Sequence, residues 1–143
     1  MPDTLSKADR ARTMAAVKGR NTRPELEIRA ALRAAGATGY RLHRRDLPGC
    51  PDLAFGRWRV AVFVDGGFWH GHPDRWHPDR MSSYWQLKIT RNMERDRASD
   101  AALISSGWTV VRIWDHDLRR DKARCVERVV RALVDAGWPA PIR

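Results

Sequence analysis

An uninterrupted apolar run from Val60 to Val64 most constrains how this chain folds. Because its side chains are apolar on consecutive positions, the run predicts a strand that is covered on both faces. It ends at Asp65, and residues 65–72 then read Asp-Gly-Gly-Phe-Trp-His-Gly-His. The paired glycines let the backbone turn where a side chain would clash. Packing alone does not require this mixture of carboxylate, aromatics and imidazoles, which is suited to binding a metal, moving protons or wedging between flat rings.

Composition indicates a single domain that binds a polyanion. A length of 143 residues suffices for one hydrophobic core, and a formal net charge of +10 favours nucleic acid as the partner. Charge alone leaves open a merely soluble basic protein. Cys50 and Cys125 lie far apart and form no CxxC motif, so we expect no structural disulfide. We find no apolar signal region and no window near the ~18 apolar residues of a membrane span, and we expect a cytoplasmic protein.

Residues 1–21 lack a clear apolar period and are strongly basic. Such a segment predicts an arm that orders on a DNA backbone, although a solvated tail fits the same composition. We therefore divide the chain into a basic DNA-binding arm, 1–21, and a folded domain, 22–143. The expected backbone contacts of the arm are Lys7, Arg10, Arg12, Lys18 and Arg20.

Periodicity and capping signals predict three helices and four strands. Thr22-Arg-Pro-Glu25 has the form of a capping box that opens a helix, which Gly36 ends. A hairpin turning at Gly56-Arg57 joins two strands. In chain order we predict a helix from Thr22, strands at Tyr40–His43, Asp52–Phe55 and Trp58–Val64, a helix from Ser82 or Ser83 to Ser106, a strand at Trp108–Trp114 and a helix from Asp121 to Ala136. The order α-β-β-β-α-β-α predicts an α/β fold with one mixed sheet covered by helices.

An aspartate interrupts the apolar stripe of the long predicted helix. At about 100° per residue, Trp85 and Leu103 lie on one stripe, and Asp96 falls in its middle. A carboxylate there costs roughly several kcal/mol unless it is paired or bound to metal. Arg95 and Arg97 point about 100° away, so they are poor partners within the helix. Asp96 therefore indicates a functional site.

The predicted hairpin does not unite the other two aspartates. With a turn at Gly56-Arg57, Asp52 lies opposite residues 59–61, at the far end from Asp65. Strand twist, a bend or a longer crossover would have to bring them together with Asp96. Taken singly, each aspartate is more typical of a turn or a cap than of a ligand.

The turn after the apolar run supports more than one interpretation. His70 and His72, followed by Asp74, resemble the metal-binding run of metallo-β-lactamase-type hydrolases, but that class needs further ligands and a larger two-sheet fold. Phe68 and Trp69 suit ordinary core packing, and they also suit the wedges that DNA-kinking proteins insert between base steps. Enzymes that act at mismatches gain selectivity because a mispaired step is easier to open.

Several blocks of the sequence, in order and spacing, resemble the very-short-patch repair (Vsr) endonucleases. The resemblance runs from about Lys7 to Trp114, and the Phe-Trp-His and Asn-x-Glu-Arg-Asp-Arg blocks together make it specific. The blocks are Pro48–Asp52, Val62–His72, Tyr84-Trp85, Lys88-Ile89, Asn92–Arg97, Gly107-Trp108 and Ile113-Trp114.

The resemblance implies a restriction-endonuclease-like fold, with a mixed central sheet flanked by helices, over residues 22–143. It implies a Mg²⁺-dependent endonuclease that nicks one strand of double-stranded DNA 5′ to the thymine of a T:G mismatch, as left by deamination of 5-methylcytosine. A related nuclease of different or broader selectivity stays open, as does a non-catalytic DNA-binding module. We expect a monomer, and mismatch-repair proteins are candidate partners.

The resemblance also implies roles for individual residues. Asp52 would be the metal-bridging carboxylate, with the backbone carbonyl of Val64 as a further ligand. His70 would act on the scissile phosphate as general acid/base, and Asp96 would orient His70 or support metal-bound water. The residues that would hold metal-bound waters are Glu25 and Asp65, and those that would intercalate are Phe68, Trp69 and Trp85.

One departure concerns the structural zinc that members of the family commonly carry. Gly67 stands at the first cysteine position, Asp74 and His116 stand at the others, and His72 keeps the histidine position. His72, Asp74 and His116 leave open a residual zinc site from which the softer ligands are lost. We expect loss of this zinc. The position of Asp65 is often a histidine in the family, so details around the catalytic metal differ.

Deletion of residues 1–19 should weaken DNA binding and flatten its salt dependence, because phosphate contacts release counterions from the duplex. Fluorescence anisotropy of a labelled duplex, titrated between about 50 and 200 mM salt, measures both effects. Circular dichroism of the shortened protein controls for folding. An unchanged slope of log Kd against log salt would identify the arm as a passive tail.

Overall fold

A mixed sheet of four strands organises the part of the chain that the structure describes. The computed structural model describes residues 21–67, 70–73 and 76–141. The strands are β1 (Arg41–Leu42), β2 (Leu53–Phe55), β3 (Val60–Asp65) and β4 (Thr109–Trp114), in that order across the sheet. β2 is antiparallel to both β1 and β3, whereas β3 and β4 are parallel. Parallel strands need a long crossover, which the helix between β3 and β4 supplies.

Four α-helices flank the sheet within the described residues, and side-chain caps begin three of them. The capping residues are Thr22, Ser82 and Asp121, and each accepts the backbone N–H three residues further on. The helices are α1 (Arg23–Ala34), α2 (Ser83–Ser105), α3 (Asp115–Arg120) and α4 (Lys122–Asp135), and a short 3₁₀ helix covers Pro78–Arg80.

The expected fold class is confirmed, and two short elements are added to it. The architecture is α/β and restriction-endonuclease-like, with a mixed central sheet flanked by helices. α3 fills the gap between the strand predicted to end at Trp114 and the helix predicted from Asp121. The 3₁₀ helix lies in the loop predicted from Asp65 to Met81. Both elements are too short to show an apolar period, which is why the sequence does not reveal them.

β3 has apolar partners on both faces, as its uninterrupted apolar run predicts. On one face Val62 packs in the larger core cluster together with residues of α1, α3 and α4. On the other face Ala61 and Phe63 pack against Leu103 of α2. Every residue of the strand except Val64 is buried. The carboxyl end of β3 is therefore held between two layers of helices.

The hairpin between β2 and β3 turns over residues 56–59, a longer turn than predicted. Leu53 pairs with Val62, so the preceding residue, Asp52, lies level with the carboxyl end of β3. The prediction that the hairpin sets Asp52 at the far end from Asp65 is therefore wrong. Each extra turn residue moves the pairing along the strand, and the local sequence does not specify that register.

Both cysteines are free thiols, in agreement with the expectation of no disulfide. Burial raises the pKa of Cys50 and of Cys125, so both thiols stay protonated near neutral pH. Among the described helices, none is both long and apolar enough to cross a membrane.

Leu103→Ala should lower the free energy of unfolding by about 2–5 kcal/mol, because it opens a cavity between α2 and β3. Leu103 is fully buried. The adjacent Ile104 is 62% exposed, so Ile104→Ala is a matched control that we expect to change stability little. Urea denaturation of both variants measures the difference, and equal losses would contradict the packing of α2 on this face.

Candidate active site

Asp52 is anchored at the carboxyl end of β3. Its Oδ2 atom accepts a hydrogen bond from the backbone N–H of Val64 at 2.7 Å. The contact exists because the hairpin register brings the residue before β2 level with the last residues of β3. A carboxylate and the backbone of Val64 thus share one corner of the site.

Glu25, near the start of α1, joins Asp52 there and is 2% exposed. Its Oε2 atom accepts hydrogen bonds from Arg29 Nη2 at 2.7 Å and from the backbone N–H of Asn21 at 3.1 Å. His43 Nε2 lies 2.9 Å from the same oxygen. Ligand atoms of Glu25, His43 and Asp52 all lie within 4.8 Å of one another. α1 and the β1–β2 connection therefore build a first acidic group against β3.

His43 belongs to this group although no sequence motif predicted it as a site residue. It ends the predicted strand at Tyr40–His43, whereas β1 stops at Leu42 and His43 takes a left-handed φ of 48°. Its amide donates to the backbone carbonyl of Asp52 at 3.2 Å. No local pattern signals this role, because His43 reaches Glu25 only through tertiary contact.

The two carboxylates of this first group favour a cation between them. Burial raises the pKa of Asp52 to about 8, and the charge of Glu25 adds to the effect, although the Val64 N–H opposes it. A divalent cation would offset both the desolvation and the repulsion. Carboxylate and carbonyl oxygens are the ligands that Mg²⁺ prefers, so the donors present fit that ion.

A second group, formed by Asp65, His70 and Asp96, joins β3, the following turn and α2. His70 Nδ1 lies 2.5 Å from Asp96 Oδ2. His70 Nε2 lies 3.8 Å from Asp65 Oδ1, beyond hydrogen-bond distance. Ligand atoms of the three residues lie within 4.8 Å of one another. The predicted aspartate on the inward stripe of α2 thus has an imidazole as its partner.

The electrostatics of this second group favour a protonated imidazole. Burial by itself lowers the pKa of His70, but the hydrogen bond to Asp96 and the charges of Asp65 and Asp96 outweigh it and raise the pKa. Burial also raises the pKa of Asp65, against the opposing charges of His70 and Arg112. The charges of Asp65 and His70 therefore act on each other's pKa, each partly opposing the effect of burial.

Arg112 of β4 connects the second group to the rest of α2, and it is not among the site residues predicted from the sequence. Its Nη1 donates to Asp65 Oδ2 at 2.6 Å and its Nη2 to Asp100 Oδ1 at 2.7 Å. Its Nη2 also lies 3.8 Å from Asp96 Oδ1. The sequence feature that could have indicated this role is a lone arginine inside the apolar strand Val-Val-Arg-Ile.

The backbone of the turn after β3 positions His70. The amide of His70 donates to the carbonyl of Gly66 at 3.1 Å, and that of His72 donates to Gly67 at 3.0 Å. Gly71 has a φ of +68°, and a Cβ there would meet Met93 of α2 at 2.3 Å. The positive φ favours glycine, and a side chain here would also force the flexible Met93 side chain to move, so the turn lies close against α2.

The predicted DNA-contacting residues are only partly within the described chain. Trp85 lies half-buried in the first turn of α2, with its ring 5.2 Å from that of Tyr84 in an edge-on arrangement. Phe68 and Trp69 lie outside the described residues, as does Asp74. The same holds for the arm residues Lys7, Arg10, Arg12, Lys18 and Arg20.

The described donors do not fit a four-ligand structural zinc. The rings of His72 and His116 meet edge-on with centroids 4.4 Å apart, and Trp114 stacks on His116. Both ring nitrogens of His116 are buried without a hydrogen bond. Neither described cysteine accompanies this pair, and structural zinc takes four donors, commonly cysteines. Loss of the family's zinc, or its retention by His72, Asp74 and His116, stays a prediction.

Comparison with known proteins assigns the family. Residues 2–76 match the family described as DNA mismatch endonuclease Vsr. The type II nicking enzyme V.XorIIP of Xanthomonas oryzae pv. oryzae is 43% identical over 120 residues, covering 82% of this chain and 88% of its own. V.NmeDIP of Neisseria meningitidis serogroup C, also a type II nicking enzyme, is 36% identical over 138 residues, covering 93% and 91%. The DNA mismatch endonuclease Vsr of Escherichia coli K12 is 34% identical over 121 residues, covering 83% and 77%.

Together with the sheet and its two acidic groups, these matches define the chain as a DNA endonuclease, a hydrolase of phosphodiester bonds. More narrowly, it belongs to the Vsr family of DNA mismatch endonucleases.

The raised pKa of Asp52 predicts that the chelator-treated protein loses stability as pH rises. Folding favours the protonated carboxyl, so this contribution is complete below about pH 4, the unfolded pKa, and is lost as pH rises through the folded pKa of about 8. Asp52→Asn mimics the protonated form. In EDTA, the Tm of Asp52→Asn minus that of the wild type should therefore grow between about pH 5 and pH 9.

Adding Mg²⁺ to the wild type should reverse the loss, and more strongly at high pH, because metal binds the ionised carboxylate. Differential scanning fluorimetry with and without Mg²⁺ measures both effects. A Tm difference that stays flat with pH would show that Asp52 ionises freely in the folded protein.

Proposed function

We propose that this endonuclease nicks one DNA strand 5′ to the thymine of a T:G mismatch by Mg²⁺-dependent phosphodiester hydrolysis. The observation that carries the proposal is the contact of His70 with Asp96, together with the pairing of half-buried Asp52 and buried Glu25, in a chain of the Vsr family. Phosphodiester cleavage needs an activated water and a stabilised leaving oxygen, and this arrangement supplies groups for both.

The metal-holding residues of the proposal are Asp52 and the backbone carbonyl of Val64. Glu25 and Asp65 would hold metal-bound waters. A bound Mg²⁺ supplies Lewis-acid activation of the attacking water and stabilises negative charge on the departing oxygen. Support comes from the desolvation of Asp52 and Glu25, which makes cation binding favourable at this corner.

His70 is the proton-transfer residue of the proposal. Its Nδ1 is held by Asp96, so Nε2 is the nitrogen left to face the scissile phosphate. The raised pKa of His70 favours the imidazolium, which suits protonation of a leaving oxygen. Asp96 fixes the ring orientation and the tautomer, in the way that a carboxylate supports histidine in other hydrolases.

Substrate recognition in the proposal depends on aromatic wedges and positive charge. Phe68, Trp69 and Trp85 intercalate beside the mismatch, where unstacking is easiest. The arm of residues 1–21 embraces the duplex backbone, and the net charge of +10 steers the protein to DNA.

Asp52→Ala and His70→Ala should each lower the rate of nicking by about 10²–10⁴-fold, the usual contribution of proton transfer or of a lost metal ligand. Asp96→Asn should also slow nicking, because the amide no longer selects the productive tautomer of His70. The assay follows single-strand cleavage of end-labelled duplexes of about 30 base pairs. One set of duplexes carries a T:G mismatch in varied sequence contexts, and the other set is fully matched.

Asp135→Ala is the matched control, since Asp135 is exposed on α4 and belongs to neither acidic group. Wild-type cleavage should require Mg²⁺ and stop in EDTA. Equal cleavage of other mismatches or of matched DNA would favour the nuclease of broader selectivity. Wild-type rates for His70→Ala or Asp52→Ala would refute the site.

A further inference from the structure

Each of the three guanidinium nitrogens of Arg112 has a protein acceptor. Its Nε lies 3.1 and 3.0 Å from the two carboxylate oxygens of Asp100, and its Nη1 bonds Asp65 at 2.6 Å. Its Nη2 donates to Asp100 at 2.7 Å and to the backbone carbonyl of Asp96 at 3.4 Å. Every nitrogen is therefore engaged. An arginine held in this way is not presented to a phosphate, even in a protein this basic.

The surroundings of Arg112 fix its position further. Its side chain is 17% exposed, and its Cζ lies 4.1 Å from the centroid of the Phe63 ring. Phe63 is its partner in the parallel pairing of β3 with β4. Its backbone carbonyl accepts a hydrogen bond from Arg128 at 2.9 Å. The bonds to Asp100 and Asp65 outweigh burial and raise the pKa of Arg112, so it remains charged.

The partners of Arg112 are the parts of the site that must keep a constant spacing. Asp65 ends β3, and Asp96 and Asp100 lie one helical turn apart on α2. Arg112 spans both elements through these hydrogen bonds. Without it, Asp65, Asp96 and Asp100 would place several like charges close together, and α2 would lose a polar tie to the sheet.

We propose that Arg112 is a positioning residue of the nicking reaction, which clamps β3 to α2 so that Asp96 holds the imidazole of His70 in its productive orientation beside Asp65. The inference rests on the proposed role of His70. Arg112 itself contacts neither the DNA nor the reacting atoms.

Arg112→Met should lower kcat by about 10²-fold, because a displacement of around 1 Å at the reacting groups has an effect of that size. The KM for duplex, the Kd of binding in Ca²⁺ or EDTA, and its salt slope should stay unchanged. Arg112→Lys keeps the charge but cannot bridge both elements with a fork, so we expect an intermediate kcat. The control, Arg124→Met, removes one exposed cation from α4 and should leave kcat at the wild-type value.

Asp100→Asn covers the case in which Arg112→Met does not fold. This substitution keeps the shape of the side chain but weakens its hydrogen bonds to Arg112. We therefore expect kcat to fall and KM to stay unchanged. Thermal melts accompany each variant. The assay uses whichever duplex the wild type cleaves. If the wild type does not cleave T:G mismatches, the proposed substrate is rejected, but the role of Arg112 can still be tested on the duplex that is cleaved.

Three results would overturn the inference. A loss of affinity with a salt slope reduced by about 1 would make Arg112 a phosphate contact. A lowered Tm with kcat unchanged would make it purely structural. A wild-type kcat in Asp100→Asn together with a wild-type kcat in folded Arg112→Met would remove any role in the reaction.

Discussion

The parallel pairing of β3 with β4 is the constraint on which the whole site depends. Parallel strands cannot be joined by a tight turn, so the chain must cross the sheet between them, and α2 makes that crossing. The packing of Leu103 against Ala61 and Phe63 sets how α2 lies on β3. From that position Asp96 reaches the turn after β3 and bonds His70. One pairing therefore supports both the core on this face and the imidazole–carboxylate contact.

The cost of burying charged side chains explains how the residues of the site are arranged around β3 and α2. Burying a carboxylate is unfavourable unless hydrogen bonds or a counter-charge compensate it. Glu25 has Arg29 and His43 as compensation, and Asp65 has Arg112. Among the described residues, the Val64 N–H opposes the burial of Asp52 and the charge of Glu25, but these outweigh it and raise the pKa of Asp52. A cation at this carboxylate would supply the missing compensation.

The sequence allowed most elements to be predicted and the contacts of the site only in part. The caps at Thr22 and at Ser82 or Ser83 are local signals, and the structure confirms Thr22 and Ser82 as the capping residues. The anomaly of Asp96 on an apolar stripe was visible because helical geometry is regular. The register of the β2–β3 hairpin was predicted wrongly, since the turn length that sets it has no strong local signature. The contribution of Arg112 was missed for a related reason, because its partners are remote in sequence.

By itself the sequence determined that β3 is a strand covered on both faces, that capped helices surround it, and that the blocks around residues 48–52, 62–72 and 92–97 are those of the Vsr family. Only the tertiary structure decided which charged groups meet. Asp52 reaches Val64 through strand register, and His70 reaches Asp96 through the path of a crossover helix. Such contacts join residues far apart in the chain, and their free energy depends on burial and on the charges nearby, which no local pattern specifies.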